Sequence, residues 1–209
     1  MKYSKQILLA AAVFTNLISY ATFFCRDSYQ HNFSIAVNGS NQIRAENESC
    51  NIEDLSELLY EYFTTNMYSS HNNNERGARF ISYTKSQCLE NLKILKGYNN
   101  TFSYKKQIQQ QNRLLYVMNI LNIKKIRTLH PVELVSIKLK GKTTYNTYIK
   151  VLSVIKKNTN RIRDEISHKL FNLSYRKLQV NKKNKRLQHY LYILKVLFPE
   201  RIAEYPVKH

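Results

Sequence analysis

Residues Thr143 to Phe198 read TTYNTYIKVLSVIKKNTNRIRDEISHKLFNLSYRKLQVNKKNKRLQHYLYILKVLF. This tract holds 13 Lys and Arg against two acids, Asp164 and Glu165, and so carries +11 alone. It also has a helical apolar rhythm. Tyr145, Tyr148, Ile149, Leu152 and Ile155 recur at steps of three and four. So do Ile162, Ile166, Leu170 and Leu173, and then Leu187, Tyr190, Leu191, Leu194 and Leu197. Such spacing puts each set on one helical face and the cations on the other. The tract is expected to form three helices, broken near Asn158–Asn160 and Asn181–Asn184, with Pro199 stopping the last.

The whole chain has 209 residues, enough for one domain with a substantial core. With 43% apolar residues it falls in the globular range. Only four Gly and three Pro are present, and an all-β design would normally use more of both in its turns, so the composition favours helices. The formal charge of +19 is unevenly placed. Thr22 to Glu90 holds five basic and nine acidic residues, whereas Asn91 onward holds 26 basic and five acidic, a net of +21. The second region should attract polyanions: nucleic acid, anionic lipid or sulfated polysaccharide.

Lys2 and Lys5 precede an apolar run from Ile7 to Tyr20, and Ser19 and Ala21 sit at −3 and −1 of a cleavage point. This three-part order is that of a secretory leader over residues 1–21, with an uncleaved anchor reaching Phe24 as the alternative. Residues 22–50 read as an irregular, exposed segment with sequons at Asn32, Asn38 and Asn47; a further candidate is Asn99. Residues 51–198 read as a helical domain and 199–209 as a loose tail. A helix capped by Asn51 or Cys50 buries Ile52, Leu55, Leu58, Leu59 and Tyr62. Others are expected over Ala78–Lys96, with Cys88 and Leu92 inward, over Tyr104–Ile123, and over Pro131–Lys140, ended by Gly141. The expectation is an all-α, single-domain bundle of about five to six amphipathic helices.

In an exported chain, Cys50 and Cys88 can tie the first helix to the second, leaving Cys25 as the odd thiol; the other pairings stay open. The six histidines lack metal-site spacing, and no nucleophile elbow, P-loop or dinucleotide turn is present. Neither an enzyme, a cofactor nor a small-molecule substrate is expected, and membrane contact is expected only through an uncleaved leader. Two basic clusters remain: Lys124, Lys125 and Arg127, and Lys182, Lys183, Lys185 and Arg186. Paired cations one residue from another suit a flexible sulfated polyanion, a nuclear address or a nucleic-acid patch. The leader tilts that choice towards extracellular polysaccharide of the heparan sulfate type.

A leader, an acidic first helix, sequons and basic amphipathic helices together resemble the plan of secreted helical cytokines, such as the unpaired-type ligands of insects. The resemblance implies a ligand that engages a cell-surface receptor and is retained by matrix polysaccharide. A secreted parasite or viral effector is the alternative, and an intracellular nucleic-acid binder a third reading. Expression of the full chain in eukaryotic cells should release protein into the medium with an N-terminus near Thr22. Recovery only from cytosol, starting at Met1, contradicts export.

Overall fold

The computed structural model describes residues 32–69, 76–97, 102–131, 133–181 and 183–206. At its centre lies a mixed five-stranded sheet, so the expected all-α bundle is corrected to an α/β fold. The strands are β1 (Phe33–Val37), β2 (Ile43–Ala45), β3 (Glu48–Cys50), β6 (Val135–Leu139) and β7 (Ile202–Pro206), in the order β3-β2-β1-β6-β7. A separate antiparallel pair joins β4 (Phe80–Thr84) to β5 (Lys125–Leu129). Six helices occur among the described residues: α1 (Ile52–Thr64), α2 (Lys85–Lys96), α3 (Phe102–Ile120), α4 (Tyr145–Phe171), α5 (Tyr175–Val180) and α6 (Lys185–Leu197).

The strands follow a two-residue period that the helical reading passed over. Phe33, Ile35 and Val37 are buried while Ser34 and Ala36 are partly open, which is the alternation of a half-covered sheet. β1 lies parallel to β6, from Phe33 opposite Val135 to Val37 opposite Leu139. It lies antiparallel to β2, and β2 to β3. The described part of the segment read as irregular, 22–50, is therefore largely strand. The tail is corrected likewise, because Ile202 pairs with Val135 and Tyr205 with Lys138. Pro131–Lys140, expected as a helix, supplies β6 instead, and Gly141, at φ 63°, turns the chain after that strand.

Scarce glycine proved a poor argument against strands, because asparagine takes its place. Of the five non-glycine residues with positive φ among the described ones, four are Asn41, Asn47, Asn122 and Asn172. Asparagine tolerates the left-handed region better than other side chains. Glu46 and Asn47, at φ 50° and 74°, form the two-residue turn between β2 and β3.

α1 begins where expected, at a capping box in which Asn51 accepts from the Asp54 N–H. It buries Leu55, Leu59, Tyr62 and Phe63, although Leu58, expected inward, is exposed. The helix expected over Ala78–Lys96 starts only at Lys85. Phe80 to Thr84 is strand, and Thr84 and Gln87 close a second capping box. α4 is unbroken through Asn158–Asn160, because the buried Asn158 and Thr159 find partners: Asn158 Nδ2 donates to Ser56 Oγ at 3.2 Å and Thr159 Oγ1 to the Ile155 carbonyl at 3.0 Å. The break falls instead at Asn172, whose left-handed backbone ends the helix.

α1 and α4 cover one face of the sheet, with Leu55, Leu59, Val151, Ile155 and Ile162 meeting Ile35, Val37 and Ile137. A second core joins the β4–β5 pair to α2, α3 and α6 through Cys88, Leu114, Met118, Ile126 and Ile193. A small third core holds Tyr175, Leu178 and Leu194. Beneath these, Arg163 is 5% exposed. Its Nε donates to the Phe198 carbonyl at 3.0 Å and its Nη1 to the Tyr175 hydroxyl at 3.1 Å. Arg163→Leu leaves that buried carbonyl and hydroxyl without this donor and should cost about 2–4 kcal/mol. The check is the urea midpoint by far-UV circular dichroism; an unchanged midpoint contradicts this role.

Candidate polyanion-binding surface

α4 buries Val151, Ile155, Ile162 and Ser167 on one side. Lys150, Lys157 and Arg161, at i, i+7 and i+11, therefore share the exposed side. They rise along the helix by about 10 Å and then about 6 Å. Lys156 is exposed on another side of α4, and Arg176 and Lys177 on α5 and Lys195 on α6 are exposed as well. Among the described Lys and Arg of the 143–198 tract, Arg163 is the one buried. Arg161 is the one that pairs with a carboxylate, 3.7 Å from Glu57, and its guanidinium lies 3.6 Å from the Tyr60 ring centroid. Lys169 sits 3.4 Å over Tyr68. Both tyrosine hydroxyls donate to Glu165, at 2.7 and 2.9 Å, tying α4 to α1 and the residues just after it.

The sequence clusters divide. Lys124 and Lys125 are exposed at the start of β5. Arg127 is turned inward: its Nη2 donates to the Asn66 carbonyl at 3.1 Å, and its guanidinium lies 5.7 Å from the Phe80 ring centroid. Burial pushes its pKa down, and both of these contacts tie it to the fold. Lys183, Lys185 and Arg186 are exposed around the N-terminus of α6, whose first turn carries no acid; the helix dipole there adds to their positive potential. Lys182 lies outside the described residues. The α4 stripe was not singled out from sequence, although its seven- and four-residue spacing within the charged tract was readable.

Asn47 is exposed at the tip of the β2–β3 turn. Asn38 caps the β1–β2 turn, its Oδ1 accepting from the Ser40 and Gln42 N–H groups. Asn32 directly precedes the buried Phe33, and Asn99 lies outside the described residues, as do Cys25 and the leader. The bridge expected between Cys50 and Cys88 is absent: both are free thiols. Cys50 packs at the edge of the first core and Cys88 within the second. Burial raises the Cys88 pKa to about 11.

One buried polar cluster also bears weighing as a site. Glu133, fully buried, accepts from the Tyr62 hydroxyl at 2.5 Å and from Arg79 Nε at 2.7 Å. Both carboxylate oxygens are thus engaged and closed to solvent, which makes the cluster a tie between α1 and the β6 region rather than a place for substrate. Among the described residues no three His, Cys, Asp or Glu gather as metal ligands, and no helix is long and apolar enough to cross a membrane. Comparison with protein-family models, curated proteins and solved structures found no match.

Burial, and then the charge and hydrogen bond of Glu133, push the Tyr62 hydroxyl pKa far above its usual 10.0. Above that value the unfolded chain loses this proton while the folded one keeps it. The contribution is therefore complete below about pH 10 and declines as pH rises, by at most about 1.4 kcal/mol per unit. Urea unfolding at about pH 9 and about pH 11 should show a smaller loss of stability for Tyr62→Phe than for the parent. Equal losses contradict the assignment.

Proposed function

We propose that this chain is an exported binding protein, not a catalyst, that captures sulfated polysaccharide of the heparan sulfate type through the exposed cations of α4, α5 and α6. The observation that carries the reading is that the basic tract turns its charge outward, with Arg161 its one described cation paired to a carboxylate. Apart from Arg161 and Lys169, which also stack on Tyr60 and Tyr68, packing uses none of that charge, and cations without a paired carboxylate keep their full attraction for a polyanion. Export is supported by the leader-like order of residues 1–21 and by the exposed sequon at Asn47. The receptor-engaging role implied by the cytokine resemblance depended on a helical bundle. The mixed sheet removes that support, and the proposal rests on polyanion capture.

Binding of this kind is steeply salt-dependent, because each neutralised anionic group releases condensed counterions. Replacing Lys150, Lys156 and Lys157 by Gln should lower the salt needed for elution from immobilised heparin, and so should the same change at Lys183, Lys185 and Arg186. Arg127→Gln should lower thermal stability and leave elution nearly unchanged. Elution that is indifferent to both triple variants overturns the proposal.

A further inference from the structure

A cleft of about 310 Å³ opens between the β1–β2 turn, the end of β3, the N-cap of α1 and the first turns of α4. It lies near the edge where the parallel strands β1 and β6 end, a common position for ligands in sheets of this kind. Three carboxamides line it, from Asn41, Gln42 and Asn51. Hydrogen bonding determines how each is turned. Asn41 Oδ1 accepts from the backbone N–H and the hydroxyl of Thr144, both at 2.9 Å, and Asn51 Oδ1 accepts from the Asp54 N–H at 2.8 Å. A backbone N–H can only donate, so the oxygen must face it. Asn38 uses its own oxygen for two backbone N–H groups, which leaves its Nδ2 to donate to Gln42 Oε1 at 2.8 Å.

The consequence is a biased lining. All three amide oxygens are engaged within the protein, while the three NH2 groups make no hydrogen bond among the described residues. Lys150 adds an ammonium and Ser49 a hydroxyl, and Cys50 and Ile52 supply apolar surface. Such a cleft is rich in donors and poor in acceptors, and it suits a ring carrying many oxygens and one negative group. Asp54, engaged in the α1 capping box at the rim, disfavours a dense cluster of anions.

We propose that the cleft holds one anionic sugar residue of the bound polysaccharide, with Lys150 on its carboxylate or sulfate. The chain then continues along Lys157 and Arg161 of α4. This rests on the polyanion reading but adds a defined subsite to it.

The test uses the full chain and a short heparin-derived tetrasaccharide. Cys50 lines the cleft and is partly exposed, whereas Cys88 is buried, so maleimide labelling mapped to peptides reports occupancy locally. The tetrasaccharide should slow labelling of Cys50. Lys150→Gln should weaken its binding about tenfold and Gln42→Leu about threefold, as loss of a charged and a neutral hydrogen bond respectively. Gln42→Leu removes no charge, so elution from long heparin should shift less for it than for Lys150→Gln. If long heparin is retained but the tetrasaccharide leaves Cys50 labelling unchanged, the subsite is overturned and polyanion binding stands. The same holds if Lys185→Gln, away from the cleft, costs the tetrasaccharide as much as Lys150→Gln. If long heparin is not retained at all, the proposed function falls, and the subsite with it.

Discussion

A guanidinium taken out of water must find acceptors, and Arg163 finds the C-cap carbonyl of α6 and the hydroxyl that opens α5. The Phe198 carbonyl carries the partial negative charge of a helix C-terminus, so the contact is favourable beyond its geometry. Through it the middle of α4 determines where α6 ends, and Pro199 and the next two residues lead directly into β7. The Val135 N–H donates to the Arg201 carbonyl at 3.0 Å, and Arg201 Nη1 donates to the His130 carbonyl at 2.7 Å, which seat the start of that strand against β6. Ile166, one turn beyond Arg163, packs against all three cores. Local failure at this point of α4 would loosen the sheet edge and both helical layers together.

The same economy explains the surface. A helix that uses a single cation inside has to place the others in solvent, and α4 does so along a stripe opposite its core residues. Mutual repulsion among exposed charges of one sign works against the folded state, and a bound polyanion relieves it. A chain of net charge +19 should therefore gain stability from the class of partner its surface attracts. Two of its cations are moderated by aromatic faces, Arg161 on Tyr60 and Lys169 on Tyr68, and these serve the α1–α4 contact as much as the surface.

Helix α1 was legible because its cap, its first-turn acids and its buried face all speak in local spacing. The strands were harder for three separate reasons. β5 reads KIRTL, and its inward Ile126 was hidden between cations that looked like a surface cluster. β6 reads VSIKL, a clear alternation, but Pro131 and Gly141 bracket it in the manner of a helix. β1 pairs with β6 across about a hundred residues, and no local pattern encodes that register. The candidate surface was legible as charge and not as geometry: sequence marked Arg127 as a binding cation, whereas the site next to Phe80 and the Asn66 carbonyl draws it inward. The lining of the cleft comes from three separated segments and was not legible at all.

Asn41 joins these threads. Its left-handed backbone, at φ 62°, closes the turn after β1 where glycine would be usual. Its side chain then caps the start of α4 by accepting from Thr144, a bond no glycine could make. The residue that turns the strand therefore also docks the longest helix against the sheet, and it is among the residues that line the cleft. A donor held at three points by backbone and cap has little rotamer entropy left to lose when a ligand arrives. Rigidity at this cleft is thus a by-product of how β1 is joined to α4. The fold obtains a preorganised set of donors from the asparagine-rich turns that concealed its strands.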